Sequence, residues 1–297
     1  MESPSHTQRA EGNFSALGCF ATQEQSLWKG MRSMRRINNR LLFLALPFIL
    51  GFLMFYLIPM IGSVRYSFMK SAFDHTFAGI SNYLETLNNE YFRLSLKNTL
   101  EMILIGVPAL MATALLLALF IQSLGKRTPA LLQAALILLM LVPSAAVAHV
   151  FGKLPVEGPR VPLLAVYVWK NTGFLMLIYL SAFSMIPMAV YEASALDGAG
   201  KARMFFSITL PMISGALLFS MILAISYNLR LFREAYLMYG AYPDPSVYLT
   251  QHYINNHFYK LNYQKLTSAA VLFLAVLLAP MGAGAKALKG LSEGRRR

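Results

Sequence analysis

The feature that most constrains this chain is a series of six apolar stretches, each close to 20 residues long. Crossing a hydrocarbon core of about 30 Å takes about 20 mostly apolar residues in a helix. The candidates are Leu41 to Ser63, about Thr99 to Ser123, Ala130 to Phe151, Pro162 to about Met185, Met212 to about Leu229, and about Leu266 to Ala285. The fourth and fifth are interrupted by polar residues such as Lys170, Asn171 and Asn228. Prolines fall inside four of them (Pro47, Pro59, Pro108, Pro143 and Pro280). Neighbouring helices in a bundle can tolerate such prolines. Only 13% of the 297 residues are charged while 57% are hydrophobic. That balance excludes a disordered chain. It also speaks against a soluble nucleic-acid binder, despite a net charge of +13. A single cysteine, Cys19, excludes a disulfide scaffold. The expectation is an all-α, polytopic membrane helical bundle of about six transmembrane helices.

Orientation follows from the Lys and Arg near short loops. Arg9, Lys29, Arg32, Arg35, Arg36 and Arg40 precede the first span, and Lys286, Lys289, Arg295, Arg296 and Arg297 follow the last. Two basic tails favour the same side, which agrees with an even number of spans. Both termini are expected in the cytoplasm. Loops 124–129 and 186–211 are then cytoplasmic, and 64–98, 152–161 and 230–265 external. The division is a basic cytoplasmic tail over 1–40, a transmembrane domain over 41–285 and a second basic tail over 286–297. Residues 1–30 lack the apolar run of a signal peptide and read as a dispensable extension. Ala16-Leu17-Gly18-Cys19 likewise lacks the run that a lipoprotein box needs, so Cys19 reads as a reduced cytosolic thiol.

The loop between spans 4 and 5 is not a floppy connector. Pro187 suits the start of a helix, and residues 188–196 are good helix formers. Asp197-Gly198 signals a turn, with Gly198 free to take a positive φ. A second helix is expected to carry Phe205, Phe206, Ile208 and Leu210 on its apolar side and to stop against Pro211.

Glu192, Ala193, Ser194, then Gly198, then Ile208, Leu210 and Pro211 stand at the spacing Glu-Ala-Ala, three residues, Gly, nine residues, Ile-x-Leu-Pro. This resembles the signature of binding-protein-dependent ABC-transporter permeases, with Ser194 in place of the second Ala. Tyr191-Glu192-Ala193, Asp197-Gly198-Ala199 and Ile208-Thr209-Leu210-Pro211 look most like the carbohydrate-uptake branch. Leu46-Pro47-Phe48, Phe55-Tyr56, Ile58-Pro59, Gly79 with Asn82-Tyr83, Asn98-Thr99-Leu100 and Phe232-x-Glu234-x-Tyr236 agree with it. The resemblance extends over about 41–285. It departs in a short stretch between spans 3 and 4, Gly152 to Val161, and in Gly240-Ala-Tyr-Pro243, where the family has Gly-Gly-x-Pro.

The resemblance implies a permease subunit in a bacterial plasma membrane, forming half of a translocation pathway for a sugar or oligosaccharide. It implies partners: a second permease subunit, an ATPase dimer at the cytoplasmic face and an extracytoplasmic solute-binding protein. The loop Glu192–Pro211 would couple to the ATPase, through Glu192, Ala193, Ser194, Asp197, Gly198, Ala199, Ile208, Leu210 and Pro211. ATP and Mg would be held by that partner, and this chain would be no enzyme. The sequence agrees on the last point. A phosphate loop of the form Gly-x-x-x-x-Gly-Lys-Ser/Thr fails at Gly200-Lys201-Ala202 and at Gly125-Lys126-Arg127.

A polar group inside a membrane is a functional candidate by default. Tyr167, Asn171, Tyr227 and Asn228 are candidates for the substrate path, since rings stack on sugars and amides bond their hydroxyls. The asparagines could equally form interhelical hydrogen bonds. Trp169 and Lys170 read as interface anchors. Arg230 and Arg233 near Glu234 suggest either an ion pair or a preference for an anionic substrate. His149, His252 and His257 lack metal-ligand spacing. Seven tyrosines between 236 and 263 read either as an interfacial aromatic belt with loop packing or as a sugar-contacting or partner-docking surface. Alternatives are the same machine for another solute, such as glycerol-3-phosphate or a polyamine, and a secondary transporter. The latter would call for inverted repeats or carboxylate relays, and the spans hold almost no acids.

Overall fold

The computed structural model describes residues 39–70, 76–124 and 138–294, with side chains between 44 and 278 in those ranges. It divides into two compact units, Met1–Ser63 and Val64–Arg297. Among the described residues the only non-helical pairing is an isolated bridge between Met69 and Phe77. Among the described residues, four helices are long and apolar enough to cross a membrane: Leu44–Ser67, Glu90–Ser123, Arg160–Ser184 and Ser214–Tyr239. They correspond to expected spans 1, 2, 4 and 5. A shorter apolar helix, Tyr263–Leu278, corresponds to the sixth.

The first unit contains α1 (Asn39–Phe52), a π-helical turn (Leu53–Leu57) and the start of α2 (Ile58–Ser67). Phe48 is 81% exposed and Tyr56 71%, as suits a helix whose surroundings are lipid. The π turn has a sequence cause. Pro59 has no N–H and its ring crowds the preceding turn. The backbone opens there to a five-residue bond, Ile58 N–H to Leu53 O. The same device recurs at Phe205–Thr209, where Leu210 N–H bonds Phe205 O and Pro211 follows.

The second unit starts with α3 (Ser81–Asn88) and α4 (Glu90–Ser123). Asn89 caps α4 by accepting from Phe92 N–H at 3.1 Å. The helix therefore begins nine residues before the apolar run, because the cap and not hydrophobicity sets its start. Next come a 3₁₀ turn (Leu139–Leu141), α5 (Ser144–Phe151) and α6 (Arg160–Ser184). The expected third span, Ala130 to Phe151, is not one helix. Residues 130–137 lie outside the described residues, and the remainder breaks at Val142, which is extended (φ −62°, ψ 129°). The ring of Pro143 pushes the preceding residue out of the helical region.

The bundle core is α4 along α6, with α10 (Ser214–Arg230) against both. On α4 the buried series Leu110, Ala114, Ala118 and Ile121 has helical spacing. It meets Leu163, Tyr167, Leu175, Tyr179 and Phe183 of α6 and Ala224 of α10. The small residues allow close approach, the usual solution for helices packed in lipid. Gly106 marks the tightest point. A Cβ there would lie 3.1 Å from Asn228 Nδ2 and 3.2 Å from the Tyr167 ring.

The expected external loop 230–265 is largely helical: α11 (Phe232–Tyr239), a 3₁₀ turn (Pro245–Val247) and α12 (Thr250–Tyr259). Leu231 hardly interrupts α10, so the span runs on to Tyr239. The final helix, α13 (Tyr263–Gly294), continues through the boundary drawn at 285.

Candidate functional site

Two regions carry candidate function. One is a helical foot at the Ser184 end of α6. The other is a cavity midway along it.

The foot consists of α7 (Met188–Leu196), α8 (Lys201–Met204), the second π turn and α9 (Leu210–Met212). Pro187 stands at the N-cap of α7. The turn after α7 closes with Gly198 at φ +77°. Gly198 N–H donates to Ala195 O at 3.1 Å, and Ala199 N–H to Ser194 O at 3.0 Å. These two bonds form a Schellman motif, whose left-handed position glycine fills without strain. Nothing lies within 4 Å of a Cβ built on Gly198, so backbone conformation and not space demands glycine there. Tyr191 OH and Thr209 Oγ1, 3.0 Å apart, pin α7 to the π turn, and Thr209 is buried.

The second helix of the foot does not stop at Pro211. It passes through to Met212 and breaks only at Ile213. The π turn supplies the extra residue that lets a proline follow without a donor. Ile208 and Leu210 are half-buried. Glu192, Ala193, Asp197 and Gly198 are exposed, Ser194 and Ala199 are half-buried, and α7 buries no residue. Leu196 is 90% exposed and Met188 70%. Among the described residues, none covers the outer side of this helix, which presents an apolar surface.

The cavity has a volume of about 470 Å³ and is lined by Tyr167, Lys170, Asn171, Tyr227, Arg230 and Glu234, among others. With 1.5 Å of rise per residue, Lys170 lies about 15 Å from the Arg160 end of α6 and about 21 Å from its Ser184 end. That is mid-span depth. Three of the four expected substrate-path residues line it: Tyr167, Asn171 and Tyr227. Asn228 does not. It is 3% exposed and its Nδ2 donates to Met102 O of α4 at 3.0 Å. Tyr167 has a double role, since its OH donates to Ala224 O at 2.7 Å while its edge reaches the cavity. The Asn171 amide donates to Tyr167 O within α6.

The centre of this site is a charged triad. Lys170 Nζ lies 2.7 Å from Glu234 Oε1 and 2.9 Å from Ser144 Oγ, and Ser144 Oγ donates to Glu234 Oε1 at 2.8 Å. Both ionic side chains are largely buried, 16% and 9% exposed. Glu234 is therefore not the partner of Arg230 or Arg233, and Lys170 is not an interface anchor. Side chains on one helical face meet when three or four residues apart, but burial decides here. A lysine in an apolar span needs a counter-charge, and the continuation of α10 into α11 carries Glu234 inward. That continuation also puts an acid within a span. Ser144 escaped sequence reading because it lies in a span that breaks just before it. Arg230 instead lies over the Tyr227 ring, 5.9 Å from its centroid.

The end of the bundle away from the foot is tied by Arg160. It pairs with Glu101 at 2.8 Å and donates to Asn98 Oδ1 and Ser246 O. Beside it, Phe92, Tyr248 and Tyr253 form a second buried cluster. Two of the tyrosines expected to form an interfacial belt, Tyr248 and Tyr253, are instead buried in this packing. His252 Nδ1 accepts from Leu249 N–H at 3.1 Å. Burial pushes its imidazole down to about 4. His257 is also pushed down to about 4, by burial first and then by Lys260 and Lys265. Among the described residues no group of three metal-ligating side chains comes together.

Comparison with known proteins decides the family. Residues 111–297 match the family described as binding-protein-dependent transport system inner membrane component. The chain belongs to this family. It is therefore a multi-pass permease of the plasma membrane. It is 29% identical to the arabinooligosaccharides transport system permease protein AraP of Bacillus subtilis (strain 168), over 65% of this chain and 70% of that protein. It is 27% identical to the trehalose/maltose transport system permease protein MalF of Thermococcus litoralis, over 67% and 76%. Its fold is shared with a chain of a bacterial ABC transporter involved in the import of the acidic polysaccharide alginate. That match has a TM-score of 0.69 and 24% identity, covering 89% of this chain and 98% of the other.

Proposed function

We propose that this permease forms half of the translocation pathway of an ATP-driven importer for a sugar or oligosaccharide, and that the foot Glu192–Pro211 transmits the work of a separate ATPase. The observation that carries this reading is the uncovered helix α7, held by the Gly198 Schellman turn and the Tyr191–Thr209 bond yet burying no side chain. A helix so placed is built to be gripped from outside. Closure of an ATPase dimer would push on α7. The push would pass through Thr209 to α10, whose far end lines the cavity. ATP and Mg belong to that partner.

The solute class is supported by the two relatives above, named for arabinooligosaccharides and for trehalose/maltose. The family description supports a solute-binding protein on the outer face. The remaining features of the reading are six spans, both termini in the cytoplasm, a second permease as partner, and no catalysis by this chain. A basic tail on each side of the span series supports the orientation.

The test is purification from mild detergent. Wild type should bring down an ATPase subunit, and Glu192→Lys should reduce its recovery at least fivefold while membrane insertion stays unchanged. Full recovery with Glu192→Lys would refute the role of the foot.

A further inference from the structure

The charges of the mid-span cavity do not balance, and the imbalance points to the solute. Lys170, Arg230, Arg233 and Glu234 all line it. Glu234 is engaged by Lys170 at 2.7 Å, and the Ser144 hydroxyl donates to the same carboxylate oxygen. Among the described residues no carboxylate lies within ion-pair distance of Arg230 or Arg233. The ion pairs there join Lys97 and Arg160 to Glu101, Lys170 to Glu234 and Lys265 to Glu85. Two guanidinium groups are thus left without a counter-ion, and both are exposed at the cavity that they line. Arg233 also lines an adjoining cavity of about 640 Å³, which shares Ser144 and Lys170 with the first.

Resting on the sugar-import reading, we infer that the solute is an anionic saccharide, carrying a carboxylate or another oxyanion that Arg230 and Arg233 receive. Guanidinium is the cation suited to this task, since its planar fork holds an oxyanion by two parallel hydrogen bonds. Tyr227 orients Arg230 from below and offers a ring to the apolar face of the sugar. The amide of Asn171, at the cavity wall, offers a hydroxyl partner. The Lys170–Glu234 pair serves a different end. By neutralising Lys170 it prevents a third cation from holding the anion too tightly for release. A neutral sugar offers no charge for two unpaired guanidiniums to receive.

The test uses the complete transporter in proteoliposomes: both permeases, the ATPase and the solute-binding protein. Uptake of labelled trigalacturonate is compared with that of neutral galactotriose. Wild type should take up trigalacturonate at least tenfold faster. The double variant R230Q/R233Q should lose that preference while still co-purifying with the complex, and R230K/R233K, which keeps the charge, should retain part of it. Faster uptake of the neutral sugar by wild type, or a preference that survives in R230Q/R233Q, overturns the inference and leaves sugar import standing. If the arginines serve lipid headgroups instead, the double variant changes uptake of both sugars equally, which also overturns it. Uptake of neither sugar by wild type overturns the inference together with the sugar-import reading.

Discussion

The foot and the cavity are built on opposite principles. The foot is local. Its turn, its caps and its pin join residues no more than 18 apart in sequence, and its helix α7 buries no residue. The cavity is non-local. Its triad joins Ser144, Lys170 and Glu234, separated by 26 and 64 residues, and its side chains face inward. A docking element needs a fixed shape and an open surface, which short-range geometry can supply. A solute path needs charges held at membrane depth, which only several helices together can neutralise. If the foot receives work and the cavity selects cargo, as proposed, the two should fail independently.

The largest effect should come from the cavity. Lys170→Met leaves Glu234 buried and unpaired. Breaking one partner of a buried ion pair costs about 3–5 kcal/mol. Detergent-solubilised Lys170→Met should therefore unfold at markedly lower temperature, and the double variant Lys170→Met/Glu234→Met should recover most of the loss. Equal damage from the single and double variants would show that the pair is not the source. ATPase binding by the double variant should remain normal, since the foot is untouched.

The next effect concerns the foot. A β-branched side chain at the φ of +77° of Gly198 costs about 1–3 kcal/mol in backbone strain. Gly198→Val should lower ATPase co-purification roughly tenfold while the thermal midpoint of the bundle moves little. A large drop in midpoint with intact ATPase binding would invert the comparison. A smaller effect is expected from Tyr191→Phe, which removes one hydrogen bond worth about 0.5–1.5 kcal/mol. Uptake should slow without loss of ATPase binding, because α7 keeps its shape but loses its link to Thr209. Unchanged uptake would remove that bond from the transmission path.

The smallest effect is one of pH and belongs to neither region. His252 and His257 have imidazoles pushed down to about 4 from an ordinary value of 6.5. The unfolded chain therefore binds more protons than the folded one between these values. The stability from burying the neutral rings is complete above about pH 6.5 and is lost as pH falls toward 4. Limited proteolysis of the α12 segment should accelerate over that window in wild type. In His252→Asn/His257→Asn it should show a flatter response. An identical pH response in that variant would assign the effect to other groups.

How legible these regions were in the sequence follows from the same contrast. The foot was readable because Pro187, Asp197 and Gly198 act on their immediate neighbours, and the observed turn lies where those residues place it. Its one misreading, a helix ending at Pro211, arose because a π turn can absorb a proline at a cost that local propensity does not reveal. Four of the expected spans were visible as runs of apolar residues. Pro143 was misjudged because tolerance of a proline depends on neighbours that the sequence does not identify. In the cavity, Tyr167, Asn171 and Tyr227 were found as polar residues in apolar runs. For Glu234 the sequence leaves open an ion pair with its near neighbours Arg230 and Arg233, whereas the helix turns it inward to Lys170. Asn228 was found as well, but its packing against α4 depends on the absence of a side chain at Gly106, more than a hundred residues away.

On the proposed function, work enters this permease through the foot and originates in ATP. The most direct measurement is solute uptake into proteoliposomes holding the complete transporter, with ATP supplied on the side of the foot and the proton gradient collapsed by an ionophore. Uptake should require ATP, persist in the ionophore and fall at least tenfold in Gly198→Val. Uptake that proceeds without ATP and stops when the gradient is collapsed would contradict the account.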